Sequence, residues 1–149
     1  MIIERGEMMR IWSKRLIPVL PTNQLKAMRY ELGDMIQQYP NIKNSLVKYA
    51  NEYSCSYLGH YFILVCKEMD KRGINKNISY DVKILDMVSS KDKYSDDIFK
   101  DLQFKEDNNR YLKQCYYNLQ EKYDRGIITD EEWQKIDEYY TREVMGYGN

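Results

Sequence analysis

The chain has 149 residues, enough for one ordinary domain with a buried core and no need of metal or disulfide support. Its 23 basic and 23 acidic side chains cancel, which sets it apart from the strongly basic chains of most tight DNA binders. Three cysteines without close spacing argue against a disulfide framework and a zinc site, and no apolar run approaches the roughly 20 residues of a membrane span.

The neutral total hides an asymmetry. Residues 1–90 carry 13 basic and 9 acidic side chains, and residues 91–149 carry 10 and 14. A basic front and an acidic back suit a polyanion-facing surface at the front, or simply two solvated helix sets. Pro18 and Pro21 break the first segment into an extended or turn-like arm. Thr22 or Asn23 can cap the helix after it, which carries Leu25, Met28, Leu32, Met35 and Ile36 on one face and runs to about Tyr39, before Pro40. Ile42, Leu46, Tyr49 and Tyr53 mark a second helix. A third spans about Ser56 to Arg72, with the continuous apolar run of a central helix, and closes on Gly73.

Ile78 to Val88 reads equally as a short helix or an irregular connection. A helical region follows Ser95, and a long helix spans about Asn108 to Arg125, stopped by Gly126. Thr129-Asp130-Glu131-Glu132 is a capping box opening a last helix to about Met145, before Gly146. No strand pattern or repeat is present. The expected fold is all-α: a single-domain helical bundle with an N-terminal arm and a C-terminal hairpin. The polar run Ser89-Ser90-Lys91-Asp92-Lys93 is the candidate linker.

Chemistry-bearing residues are few. Glu31 lies at the edge of its helix's apolar face, between Met28 and Met35, so partial desolvation should raise its pKa and suit it to proton exchange. The alternative is a boundary glutamate that reaches water or pairs with Arg29 or Lys26. The one histidine, His60, has aromatic neighbours and reads as a packed helix residue, which leaves no Ser/His/Asp set. Asp130, Glu131 and Glu132 fall in a first helical turn, where the macrodipole favours acids, so a metal site there is not expected.

Met9-Arg10-Ile11-Trp12, then Leu16-Ile17-Pro18 and Leu20-Pro21, then Gln24-Leu25 and Glu31, 21 positions after Arg10, resemble the front of the pyrimidine-dimer DNA glycosylase (endonuclease V-like) family. Leu64 to Gly73, ending Glu68-Met69-Asp70-Lys71-Arg72-Gly73, is similar to that family's buried helix, so the resemblance covers about residues 9–75. It implies a repair glycosylase and AP lyase of phage or bacterial type, acting on damaged double-stranded DNA in the cytoplasm without cofactor or metal. The terminal amine would attack C1′ of the damaged nucleotide and form an imine, and β-elimination would follow. An α-amine with a pKa of about 7.7–8.0 is partly neutral at pH 7. By carry-over, Met9 supplies the amine, Glu31 stabilises the imine and moves protons, and Arg10 holds a phosphate. The family's arginine before the glutamate is Tyr30 here, and Arg29 stands one position earlier, so both are expected DNA contacts, Arg29 to a phosphate. Lys14 and Arg15 are further phosphate contacts on the arm.

Residues 1–8 precede the amine. Either they are a real extension, which turns the nucleophile into an amide, or translation starts at Met9. Glu4-Arg5-Gly6-Glu7 can be encoded by a purine run like a ribosome-binding site, which supports the second. The expected layout is thus 1–8 extension, 9–105 endonuclease V-like helical domain, and 106–149 C-terminal hairpin, packed on it or loosely attached. Within the last, about residues 119–136 resemble the short bacterial C-terminal (SHOCT-type) hairpin, a packing or oligomerisation element. The tail tyrosines Tyr139, Tyr140 and Tyr147 are similar to the family's aromatic C-terminus. The rival to the enzyme is a non-catalytic helical DNA-binding or phage accessory protein that keeps the scaffold.

Overall fold

A computed structural model describes residues 11–43, 45–92 and 100–145, without the side chains of 45–47 and 145. The arm enters as a short 3-10 turn, Lys14–Val19, capped by the Ser13 hydroxyl, which accepts from the Arg15 amide at 3.3 Å. Pro18 is tolerated inside it because this turn needs few backbone donors. Leu16, Ile17 and Leu20 point into the core.

Helix α1 is Thr22–Gln38. Neither Thr22 nor Asn23 caps it: Pro21 occupies the extended cap position and brings no side-chain hydrogen bond, so Thr22 is already helical. The predicted stripe is otherwise buried, with Leu25, Met28, Leu32, Met35 and Ile36 at 0 % exposure. Arg29 and Gly33 lie on that face too. The second predicted helix is a 3-10 segment, Ser45–Glu52. Helix α2, Cys55–Lys71, is the central helix and packs most extensively on α1. It ends on Gly73 at φ +72°, and the Gly73 and Ile74 amides bond back to the Asp70 and Met69 carbonyls at 3.0 and 2.9 Å.

The ambiguous stretch is helical: α3, Ile78–Lys91, is capped by the Asn77 side chain, which accepts from the Tyr80 amide at 3.2 Å. Its first turn inverts the usual pattern. Ile78 and Val82 are 64 % and 53 % exposed, while Asp81 is buried. Residues 91 and 92 of the polar run are tied to the body. Lys91 Nζ donates to the Ile36 carbonyl at 2.6 Å, and Asp92 accepts from the Ser56 amide at 3.0 Å, closing the start of α2.

Of the helical region expected after Ser95, residues 95–99 lie outside the described part, and residues 100–108 are irregular rather than helical, with one turn at 105–106. Phe104 in this segment fills an aromatic nest, 4.8 to 5.5 Å from the rings of Tyr49, Tyr53, Tyr57 and Tyr61. Helices α4, Asn109–Asp124, and α5, Asp130–Met145, then form the hairpin. Gly126 at φ +79° turns the chain, and the capping box closes both ways: the Thr129 amide donates to Glu132 at 2.9 Å and the Glu132 amide to Thr129 Oγ1 at 3.1 Å. Rings zip the two helices together: Tyr116 stacks on Tyr140 at 3.9 Å and Tyr123 on Trp133 at 5.5 Å. Helix α5 also packs on the arm. The described residues contain no strand, and the protein is all-α.

Candidate active site and nucleic-acid face

Met9 and Arg10 lie outside the described residues. The arm immediately after them is held from three sides. Arg72, at the end of α2, points its guanidinium at the arm: Nη1 donates to the Leu20 carbonyl at 2.7 Å, and Nη2 to those of Ile17 and Pro18, each at 3.2 Å. Glu68, one turn back, holds the same guanidinium at 2.8 Å. The end of the arm's turn thus receives the donors that a short 3-10 segment cannot supply itself.

Asp107 secures the other end. Its buried Oδ2 accepts from the Lys14 amide at 3.0 Å and from the Tyr61 hydroxyl at 2.6 Å. Burial, and then the adjacent carboxylate, push the Tyr61 phenol's pKa far up, so it stays a proton donor to Asp107. Third, the Tyr111 hydroxyl on α4 donates to the Ile11 carbonyl. Two residues beyond the expected nucleophile, the chain is therefore pinned by a side chain of the C-terminal hairpin.

Three of the expected DNA contacts are engaged within the protein. Lys14 Nζ bonds Asp101 at 2.6 Å and the Leu102 carbonyl at 2.7 Å, and this lysine holds the Asp101 carboxyl below its ordinary range. Arg15 Nη1 donates to Asn109 Oδ1 at 2.5 Å, with its charge near Tyr139. Arg29 is 2 % exposed. Its Nε meets Asp81 at 2.8 Å, and Nη2 meets the Asn77 carbonyl at 2.9 Å. Burial alone would lower the Arg29 pKa, but the hydrogen bond and charge of Asp81 raise it, so the charge is kept. Its face packs near the rings of Tyr80 at 4.7 Å and Tyr30 at 5.1 Å. Arg29 is thus built into the α1–α3 contact, with its donors held by Asp81 and Asn77.

Tyr30 is different: it is 53 % exposed and rests against Tyr80 at 5.2 Å. Glu31, next to it, is half-buried at the edge of the α1 stripe, as its spacing predicts. The Cys55 and Cys66 thiols offer no rival nucleophile. Burial pushes Cys55 and Cys66 up to about 12, which leaves almost no thiolate at neutral pH. Lys76 is also poorly suited to attack. Its hydrogen bond to Asp81 raises its pKa against the cost of burial and keeps it charged. Among the described residues, no group of three or more His, Cys, Asp and Glu could hold a metal ion, and no helix is long and apolar enough to cross a membrane.

Arg72, Asp107 and Tyr111 escape a reading of the sequence as functional. Arg72 stands in the Glu68–Gly73 helix end that supported the resemblance, and the Glu68–Arg72 spacing is a visible i,i+4 pair. Nothing local marks Asp107 or Tyr111, since their partners lie 93 and 100 residues away.

Comparison with curated proteins and with solved structures gives no significant match. The family model for pyrimidine dimer DNA glycosylase matches residues 9–82, about half the chain. That span starts at Met9, takes in the arm, α1 and α2, and ends in the first turns of α3 beside Asp81. Through this segment, the chain belongs to the pyrimidine dimer DNA glycosylase family.

Proposed function

We propose that the protein is a DNA glycosylase and AP lyase for pyrimidine-dimer or abasic sites in duplex DNA, with the α-amine of Met9 as nucleophile. The supporting observation is that the family match begins at Met9, where the reacting amine would be, and includes Glu31. The neutral amine nitrogen attacks C1′. The glycosidic bond breaks and the base leaves with a proton. Opening of the sugar ring gives a cationic imine, which the Glu31 carboxylate stabilises. A base then takes the C2′ proton, the C3′–O bond breaks and the strand is cut. Water hydrolyses the imine and returns the amine. Glu31, half-buried beside Tyr30, is the group for these proton transfers. The exposed Tyr30, and Arg10 by family likeness, are the remaining contacts to DNA.

The clearest test uses protein started at Met1 and at Met9, each incubated with abasic duplex and borohydride. The expected outcome is a covalent complex for the Met9 form alone, lost or slowed in Glu31→Gln. No trapping by either form would sink the proposal. One observation favours a second reading, a DNA-binding scaffold without the reaction: Lys14 and Arg29 direct their donors inward. That reading predicts duplex binding with no trapped product.

A further inference from the structure

The first half of α4, Asn109 to Tyr117, carries no acidic residue. Its inner side, Leu112 and Cys115, is buried in the core. On the outer side Arg110, Lys113, Gln114 and Tyr117 follow at i, i+3, i+4 and i+7, so they form one ridge. Together with Glu106, Asn108 and Tyr111 they line an open groove of about 520 Å³. Arg110 and Lys113 are exposed and form no ion pair among the described residues. The groove's one carboxylate, Glu106, accepts the Tyr53 hydroxyl at 2.8 Å. Tyr117 is 51 % exposed, its ring steadied by Tyr116 at 5.2 Å.

We infer that this α4 ridge is a second DNA-backbone contact, continuous with the arm and outside the segment shared with the family. It rests on reading the chain as a DNA-acting protein. Continuity comes from Tyr111, which lines the groove and donates to the Ile11 carbonyl, and from Asn109, which accepts from Arg15 at 2.5 Å. A duplex approaching the start of the arm therefore meets Arg110 and Lys113 next. The ridge from Arg110 to Tyr117 spans about 10 Å, the axial rise of about three base pairs. The charges also set its limit. Helix α5 carries Asp130, Glu131, Glu132, Asp137, Glu138 and Glu143 against Lys135 and Arg142, so it repels the phosphates and confines them to α4. The ridge supplies two cations in place of Lys14 and Arg29, which are held internally.

The test is binding of the full chain to undamaged fluorescent duplex from 50 to 200 mM salt. In Arg110→Ala/Lys113→Ala the log K against log salt slope should become shallower by about 2, and affinity should fall roughly 10- to 100-fold. Tyr117→Ala should weaken binding with the slope unchanged, and Lys135→Ala on α5 should do neither. Unchanged slope and affinity in the double variant overturn the inference, as does a parent protein that binds no duplex at 50 mM salt. Borohydride trapping by the Met9 form, run in parallel, separates the two readings. Trapping with an unchanged slope sinks the α4 contact alone. A shallower slope without trapping supports the contact and removes the chemistry.

Discussion

Two helix pairs in this protein are joined by opposite means. Helices α1 and α3 meet across buried charge: Arg29, Asp81 and Lys76, with side-chain exposures of 2 %, 10 % and 7 %, form one cluster. Helices α4 and α5 meet across stacked rings, and leave Arg110 and Lys113 of α4 in solvent. The same residue type therefore does different work in the two places. Arg29 holds a helix pair together, whereas Arg110 is available to a partner. A count of arginines over the first 90 residues overstates how positive the front surface is. A balanced total understates what the first half of α4 presents.

The contrast can be broken most sharply at Asp81. In Asp81→Ala, Arg29 is left as a buried charge without its carboxylate, and urea unfolding should show a loss of about 3–5 kcal/mol. Replacing all three charges, Arg29→Met with Asp81→Leu and Lys76→Met, should recover most of it. A single variant as stable as the parent would mean the α1–α3 contact does not depend on the ion pair.

A smaller effect is expected at Gly33, where α1 passes α3. A Cβ there would stand 2.0 Å from the Tyr80 hydroxyl and 2.9 Å from its ring carbon. Tyr80 cannot retreat freely, because its ring lies 4.7 Å from the Arg29 guanidinium and 6.3 Å from Phe62. Gly33→Ala should cost about 1–3 kcal/mol, measured in the same unfolding experiment. Adding Tyr80→Phe should return part of that, since the nearest atom is gone. Strict additivity of the two changes would rule out the clash as the cause.

The hairpin should be the least sensitive. Thr129→Ala removes one cap hydrogen bond at an exposed turn and should lower stability by about 1 kcal/mol, visible as a small shift in the urea midpoint. A loss as large as that of Asp81→Ala would show that the α5 start supports more than its own helix.

These differences track the range over which each interaction acts. Gly73 and Gly126 as helix ends, the Thr129–Glu132 capping box and the buried stripe of α1 were all legible, because each involves residues within a few positions of one another. The position of Glu31 at the edge of that stripe came from the same periodicity, and its link to Met9 from family likeness. The α3 helix was ambiguous for a physical reason: its first turn exposes Ile78 and Val82 and buries Asp81, against the apolar pattern.

Local patterns in the sequence were enough for the all-α class, most helix ends and the family segment, because each rests on residues a few positions apart. Tertiary structure alone decided which cations remain outside. Asp81 captures Arg29 across 52 positions, Asp101 captures Lys14 across 87, and Arg72 reaches the Leu20 carbonyl across 52. Periodicity places a side chain on the face of its own helix, but a buried charge must find its partner wherever the fold brings one within about 3 Å. Only the assembled structure shows that the arm is pinned by Arg72, Asp107 and Tyr111, and that Arg110 and Lys113 are left facing water.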